Sequence, residues 1–314
     1  MASIAIEQRL SALFEEWAGE IPTLVLPLAP SGSDRIYYRL QSKHKLAVGA
    51  YNPHLQENEA FISFSKHFHA KGLPVPEIFA ENLAQHIYLQ EDLGATTLYS
   101  YLLQKGDYFP DYLVKIYKRV VEQLARLQVL GGDGLDYEKC FPRTNFDKQS
   151  MLWDFNYFKY YFLRLAYILF DEQALEEDAH TLADFLLETN TDHFMFRDFQ
   201  TRNIMIKNGE PIFIDYQGGR RGALQYDLAS LLYQAKANIP EDIREELLHH
   251  YLDWHHVSLV YVSSVYPSSG YFWVLVLCYQ QMVTLGWLLL PVHQLDPLFL
   301  SILFVWSRNN SVLS

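Results

Sequence analysis

The chain has 314 residues, half of them hydrophobic, a formal charge of −12 and a pI near 5.4. That length suits two lobes with sizeable cores. The acidic balance repels phosphate backbones, which excludes a general nucleic-acid binder, and no Lys/Arg block forms a basic tail. Two cysteines, Cys140 and Cys278, lie far apart. They offer neither a disulfide framework nor a zinc site and fit a reducing, cytoplasmic compartment. The segment from Met1 to Arg9 lacks the charged start and apolar core of a signal peptide.

The first elements are expected to be strands. Arg35 to Leu40 and Lys45 to Tyr51 are rich in β-branched and aromatic residues and flank a polar turn at Gln41 to His44. Pro53 breaks the second run. Phe61, Phe64 and Phe68 then recur at helical spacing within Glu57 to Ala70, and Gly72 follows as a stop. His86 to Gln90 reads as a short strand running into Glu91, Asp92, Leu93 and Gly94. Beyond that the periodicity becomes helical. A stripe of Leu113, Ile116, Tyr117, Val120, Val121, Leu124 and Leu127 ends at Gly131 and Gly132. Further helical patterns cover Trp153 to Phe170, Glu172 to Glu188, Glu241 to His256 and Tyr271 to Leu290. The uncharged run Tyr271 to Val292 is long enough to span a bilayer, but Gln280, Gln281, Thr284, Gly286 and Pro291 interrupt it, so it reads as a buried core helix. The expected organisation is α+β, with a β-rich lobe over residues 1–92 and a mainly helical lobe over 93–314.

The chemistry lies between Phe194 and Asp227. Asp198 and Asn203 stand on a loop that leads into a strand, Ile204 to Ile206. Lys207 to Glu210 makes a polar turn, and a second strand, Ile212 to Ile214, delivers Asp215. Phosphoryl transfer needs such a set. A carboxylate orients the attacking hydroxyl and takes its proton, and two oxygen ligands hold a magnesium ion that bridges the phosphates. Asp198 is the expected base, with Asn203 and Asp215 as metal ligands. The competing reading makes these acids turn and cap residues of an ordinary hairpin.

The run Arg197–Asp198 through Asn203, with Asp215 twelve residues later, resembles the catalytic loop and metal aspartate of the aminoglycoside phosphotransferase and choline kinase superfamily. Phe196 to Phe199, Ile214 to Gly219 and Gln225 to Leu232 are similar to the branch that contains the N-acetylmuramate/N-acetylglucosamine anomeric kinases. The resemblance runs from about Ser31 to Asn238. It implies a bilobal protein-kinase-like fold, ATP or GTP with Mg²⁺ as cofactors, and transfer to a hydroxyl of a small molecule with Arg197 and Asp198 in the catalytic loop. It further implies that Ser31, Gly32 and Ser33, with Arg35 beside them, form a phosphate loop. Glu91 C=O and Leu93 N–H would then meet the nucleobase, and Asp227 would prop up the catalytic loop. As a plain alternative, Asp227 caps a helix starting at Leu228.

Three departures stand out. The third strand, Ala47 to Asn52, carries no lysine, so Glu57 or Glu59 on the next helix lacks its expected partner. Arg35, Arg39, Lys43 and Lys45 are the candidate substitutes. Phe196 stands where the family usually has histidine. Only eleven residues separate Asp215 from Asp227, too few for a peptide-docking segment, which favours a small acceptor. Arg220 and Arg221 within that gap are candidate contacts to phosphate or an anionic substrate, or else solvated loop charges. An amino sugar is the expected acceptor. Alternatives are a regulatory module that binds nucleotide with little turnover, or a kinase for another small alcohol such as choline or an aminoglycoside.

Overall fold

The computed structural model describes residues 2–29, 34–106 and 108–254. Ser31, Gly32 and Ser33, the run Tyr271 to Val292 and Cys278 lie outside the described residues. Among the described residues no helix is long and apolar enough to cross a membrane.

The chain opens with a helix that the sequence reading passed over, α1 (Ala2–Ala18). Its Ile6, Leu10, Leu13 and Phe14 fall on one stripe and are all buried. They cover one face of a five-stranded antiparallel sheet in the order β1-β2-β3-β5-β4. The strands are β1 (Leu24–Pro27), β2 (Ile36–Gln41), β3 (Leu46–Tyr51), β4 (Ile78–Asn82) and β5 (Ile87–Gln90). Tyr38, Leu40, Ala47, Ile87 and Leu89 form the sheet side of this core. Gly49 belongs to it for a steric reason. A Cβ there would stand 2.8 Å from side-chain carbons of Leu10 and Leu40, so only glycine lets α1 settle on the sheet.

Because strand side chains alternate, the other face carries Tyr37, Ala50 and Tyr88 in one cross-strand row. Helix α2 (Leu55–Ala70) lies on this side. Its Phe61 packs 5.4 Å from the Tyr88 ring. The C-terminal end of α2 is tied to the next part of the chain by His67 Nε2, 2.9 Å from Gly131 O, and by Lys71 Nζ, which donates to Leu130 O at 2.8 Å.

After the sheet the chain becomes helical, as the periodicity requires. Helix α3 (Leu98–Leu103) starts with a reciprocal capping box between Thr97 and Ser100. Helix α4 (Asp111–Arg126) buries the predicted stripe and then widens into a π-helical turn over Leu127–Gly131. Short strands follow. β6 (His193–Met195) pairs with β9 (Arg220–Gly222), and β7 (Ile204–Lys207) pairs with β8 (Glu210–Phe213). Helix α7 (Leu224–Leu232) is buried along its whole length, and α8 (Glu241–Trp254) packs on α4.

Two compact units divide the chain. The first joins residues up to 145 with those from 190, and it contains all the elements above. The described part of the second is residues 146–189. There, α5 (Lys148–Phe158) and α6 (Glu172–Leu186) each begin on an aspartate cap, Asp147 and Asp171. Lys148 Nζ bridges them through Asp184 at 2.6 Å. The expected helix from Trp153 to Phe170 is corrected. The α-helix ends at Phe158 and a π turn over Lys159–Leu163 follows, where the buried Lys159 reaches Glu176 and Glu172 on α6.

Candidate active site

The loop between β6 and β7 holds Asp198. Asp198 is exposed, whereas Phe196 and Phe199 beside it are fully buried. Those two rings meet edge to face at 5.1 Å and also pack on Phe213 at 6.3 and 5.0 Å. The alternation anchors the loop by its aromatic residues and leaves the carboxylate outside. Phe196, standing where a histidine was the family expectation, is therefore a packing residue of this anchor.

Asn203 follows in a single 3-10 turn, Thr201–Asn203, and is buried. Its Nδ2 donates to Asp198 O at 2.8 Å. That bond fixes the amide and leaves Oδ1 as the atom able to ligate a cation. The β7–β8 hairpin then carries the chain to Asp215. Ile214 N donates to Asn203 O at 3.0 Å, which ties the two arms together below the site.

Asp215 adopts φ 72°, and Arg197 adopts φ 79°. The left-handed region is uncommon for residues other than glycine, more so for arginine than for aspartate, and both residues have packed or bonded neighbours that hold them. For Asp215 the support is aromatic. Tyr216 is fully buried, stacks on Phe61 at 5.0 Å, meets Phe68 at 5.6 Å and Phe196 at 6.0 Å, and its hydroxyl lies 2.7 Å from Ser65 Oγ. The carboxylate oxygen Oδ1 of Asp215 also accepts from Gln217 Nε2 at 2.7 Å.

For Arg197 the support is Asp227. This residue lies in the first turn of α7, whose cap is Ala223, so it is not the plain N-cap of a helix starting at Leu228. Its Oδ2 accepts from Phe196 N at 2.8 Å and its Oδ1 from Arg197 N at 2.9 Å. A further partner, which the sequence did not reveal, is Gln128 in the π turn after α4. Gln128 Nε2 donates to Asp227 Oδ2 at 2.9 Å and to Leu224 O at 3.0 Å, while its Oε1 accepts from Tyr251 OH at 2.6 Å. Gln128, Leu224, Asp227, Tyr251 and Phe196 are all buried. Burial pushes the Asp227 carboxyl up to about 7, against the opposing hydrogen bonds from Phe196 N, Gln128 and Arg197 N.

The missing third-strand cation is found in Arg35, immediately before β2. Its side chain is 3% exposed. Nη2 donates to Glu57 Oε2 at 3.1 Å, and Nη1 lies 3.8 Å from Asp215 Oδ1. The expectation that Glu57 lacks a partner is thus corrected, and Asn52 Nδ2 donates to the same oxygen at 3.0 Å. Ala50, small and set between Tyr37 and Tyr88 in the cross-strand row, keeps this side of the sheet open for a long side chain from the neighbouring strand. Of the other candidate cations, two are engaged elsewhere and Lys43 is exposed in the turn after β2. Arg39 pairs with Asp92, and Lys45 lies over the Trp17 ring at 5.3 Å. Asp34 is exposed and stands 3.8 Å from His54 Nε2.

At the end of β5, Glu91 N donates to Glu77 O, and Lys207 Nζ reaches both Glu91 Oε1 at 2.6 Å and Asp92 O at 3.1 Å. Asp92 Oδ1 accepts from Gly94 N at 2.8 Å. The segment 91–94 is therefore held at both ends, with Leu93 buried.

Arg220 is turned inward. It is 4% exposed, so the solvated-charge alternative does not hold for it. Its Nε and Nη2 both donate to Gly218 O, at 3.0 and 2.9 Å, and Nη2 also reaches Phe141 O at 3.5 Å. Arg221 lies over the Tyr137 ring at 4.2 Å.

Among the described residues no group of three or more His, Cys, Asp or Glu side chains converges as a metal cluster. A cation here would depend on Asn203 Oδ1 and Asp215 together with ligand oxygens. That donor set suits Mg²⁺, which retains waters and phosphate oxygens and needs few protein ligands.

The phosphotransferase enzyme family model matches residues 25–260, and the chain belongs to that family. It is 24% identical over 237 residues to an N-acetylmuramate/N-acetylglucosamine kinase from Pseudomonas aeruginosa, spanning 72% of this chain and 64% of that one. It is 26% identical over 181 residues to the kinase of the same name from Neisseria meningitidis, spanning 56% and 51%. The chain thus matches about half to two thirds of these relatives' length. The fold is similar to that of a choline/ethanolamine kinase family protein from Mesorhizobium loti, with a TM-score of 0.59 at 13% identity over 98% of this chain and 94% of that one.

Proposed function

We propose that this chain transfers the γ-phosphoryl group of ATP or GTP to a hydroxyl of an N-acetylated amino sugar, with the anomeric hydroxyl preferred. One observation carries the reading. The amide of Asn203 is bonded to the backbone of Asp198 at 2.8 Å, while Asp215 stands 3.8 Å from a buried arginine. Base, cation ligands and phosphate-facing charge are thereby held in one frame.

In this reading Asp198 orients the acceptor hydroxyl and takes its proton as the new O–P bond forms, while the bond from the γ-phosphorus to the β,γ-bridging oxygen breaks and the nucleoside diphosphate leaves with that oxygen. Its exposure leaves it open to a substrate, and the buried Phe196 and Phe199 keep it from swinging away. Asn203 Oδ1 and Asp215 hold Mg²⁺, which when bound neutralises charge on the phosphates. Arg35 faces the phosphates from the sheet side and is kept extended by Glu57. The backbone of Glu91 and Leu93 receives the nucleobase, with Lys207 bracing it. Asp227 holds the Arg197 backbone and, through it, the direction of Asp198.

The names of the two sequence relatives support an amino-sugar acceptor, and the short segment from Asp215 to Asp227 supports a small one. A regulatory, non-catalytic module is the alternative that the absent third-strand lysine suggests, and the buried Arg35 beside Glu57 and Asp215 supports the catalytic reading instead. The test is ADP release with Mg·ATP against N-acetylglucosamine, N-acetylmuramate, choline, kanamycin and homoserine. Turnover of either amino sugar supports the reading. Turnover of choline or kanamycin alone would replace the acceptor and keep the kinase.

A further inference from the structure

Gly218 and Gly219 are adjacent, yet they are glycines for different reasons. A Cβ on Gly219 would stand 2.3 Å from Phe194 Cζ and 3.0 Å from Tyr216 O. That position admits no side chain, because the loop is pressed onto the Phe194 ring. Gly219 N also donates to Tyr216 O at 2.9 Å, closing the turn. Gly218 has neither constraint. Its φ lies outside the left-handed region, so no positive φ calls for glycine there. Among the described residues a Cβ there would meet a single heavy atom within 4 Å beyond its chain neighbours, Asp198 Oδ2 at 3.9 Å. Conformation and packing both fail to account for glycine here. What remains is the open space beside Asp198.

We infer that Gly218 is a specificity-determining residue, whose missing side chain leaves room for the acceptor beside Asp198, and that Arg220 fixes that room. The inference rests on the proposed function, in which a hydroxyl comes to Asp198. That hydroxyl must approach to about 2.6–3.2 Å of the carboxylate. It brings its carbon skeleton with it, and a methyl group in contact with Oδ2 would occupy one flank of the approach. The wall must also stay in place. Two guanidinium N–H groups of the buried Arg220 hold the Gly218 carbonyl, a planar fork that a lysine cannot reproduce. Arg220 is thus a positioning residue acting through Gly218.

The experiment compares wild type with Gly218→Ala, Gly218→Val and Arg220→Lys, varying N-acetylglucosamine, N-acetylmuramate and Mg·ATP separately. Misplacing a reactant by about 1 Å costs on the order of 10²-fold. Gly218→Ala is expected to raise the sugar KM at least about tenfold. Gly218→Val is expected to raise it further, with the KM for Mg·ATP staying near that of wild type. Thermal unfolding with Mg·ATP checks that each variant is folded. Wild-type sugar kcat/KM in both Gly218 variants overturns the inference. So does a KM for Mg·ATP that rises in step with the sugar KM, since that marks a loop displaced as a whole. Arg220→Lys is expected to weaken both sugars alike. A loss confined to N-acetylmuramate, the sugar with a carboxylate, would make Arg220 an anion contact and overturn its assignment. A wild type inactive on every alcohol would sink the proposed function and this inference together. A wild type active on sugars beside unaffected variants sinks the inference alone.

Discussion

Arg35 and Asp215 face each other across 3.8 Å, the arginine almost fully buried and the aspartate partly open. Burial alone disfavours the guanidinium charge, but Tyr88, Tyr37 and Asp215 around it more than offset that, and its pKa is pushed up. The cation therefore persists at the place where nucleotide phosphates are proposed to lie.

Replacing Arg35 by methionine is expected to lower kcat about 10²-fold and to raise the KM for Mg·ATP, the scale seen when one preorganised donor is removed. Arg35→Lys should recover only part of this, because an ammonium cannot span Glu57 and Asp215 at once. Steady-state kinetics with ATP varied decides. A methionine variant with wild-type kcat/KM would remove Arg35 from the site.

The contrast between Arg35 and Asp198 shows how far the sequence could be read. Asp198, Asn203 and Asp215 sit on a hairpin whose strands and turn are local, so spacing alone brought them together. Arg35 could not be chosen over Arg39 or Lys45, because the choice depends on cross-strand register, which places Tyr37 opposite Ala50. Gln128 was invisible for a similar reason. It continues a helical stripe as a polar exception, and its partner Asp227 lies ninety-nine residues further along the chain, beyond the reach of local spacing. Helix α1 carries a regular apolar stripe, but the surface that stripe covers is formed by strands later in the chain, so residues 2–18 alone do not show what it packs on. The five-stranded sheet supplies that surface.

Removal of the metal ligands should separate binding from chemistry. Asp215→Ala is expected to abolish the stabilisation by Mg²⁺ with a non-hydrolysable ATP analogue. Asn203→Ala should weaken it and also release the backbone of Asp198. Thermal unfolding with and without Mg²⁺ reads both. A Mg²⁺-dependent shift of wild-type size in Asp215→Ala contradicts the assignment.

Gln128→Leu should cost about 1–3 kcal/mol, since it leaves Asp227, Leu224 O and Tyr251 OH each short of a partner. It should also lower kcat more than it changes the KM for ATP. Denaturant unfolding and kinetics measure the two effects. A drop in stability with kcat intact would make Gln128 a packing residue and nothing more.

Asp227 predicts opposite pH trends for stability and activity. Its folded-state value of about 7 lies above the ordinary carboxylate. Its contribution to stability is therefore fully present below about pH 4 and is lost as pH rises through about 7. Activity should rise over the same range, because only the carboxylate accepts from Phe196 N, Arg197 N and Gln128 together. Melting temperature and kcat followed from pH 5 to 8 are expected to diverge, and Asp227→Asn should flatten this component of the stability profile. A kcat that falls across that range in parallel with the melting temperature contradicts the account.

The central claim is that Asp198 accepts the proton of an attacking hydroxyl. Single-turnover transfer from γ-labelled ATP to N-acetylglucosamine, compared between wild type and Asp198→Asn, tests it most directly. Labelled sugar phosphate is expected from wild type and a rate lowered by roughly 10²–10⁴-fold from the variant, with ATP affinity nearly unchanged. An Asp198→Asn protein that transfers label at more than about a tenth of the wild-type rate would contradict it.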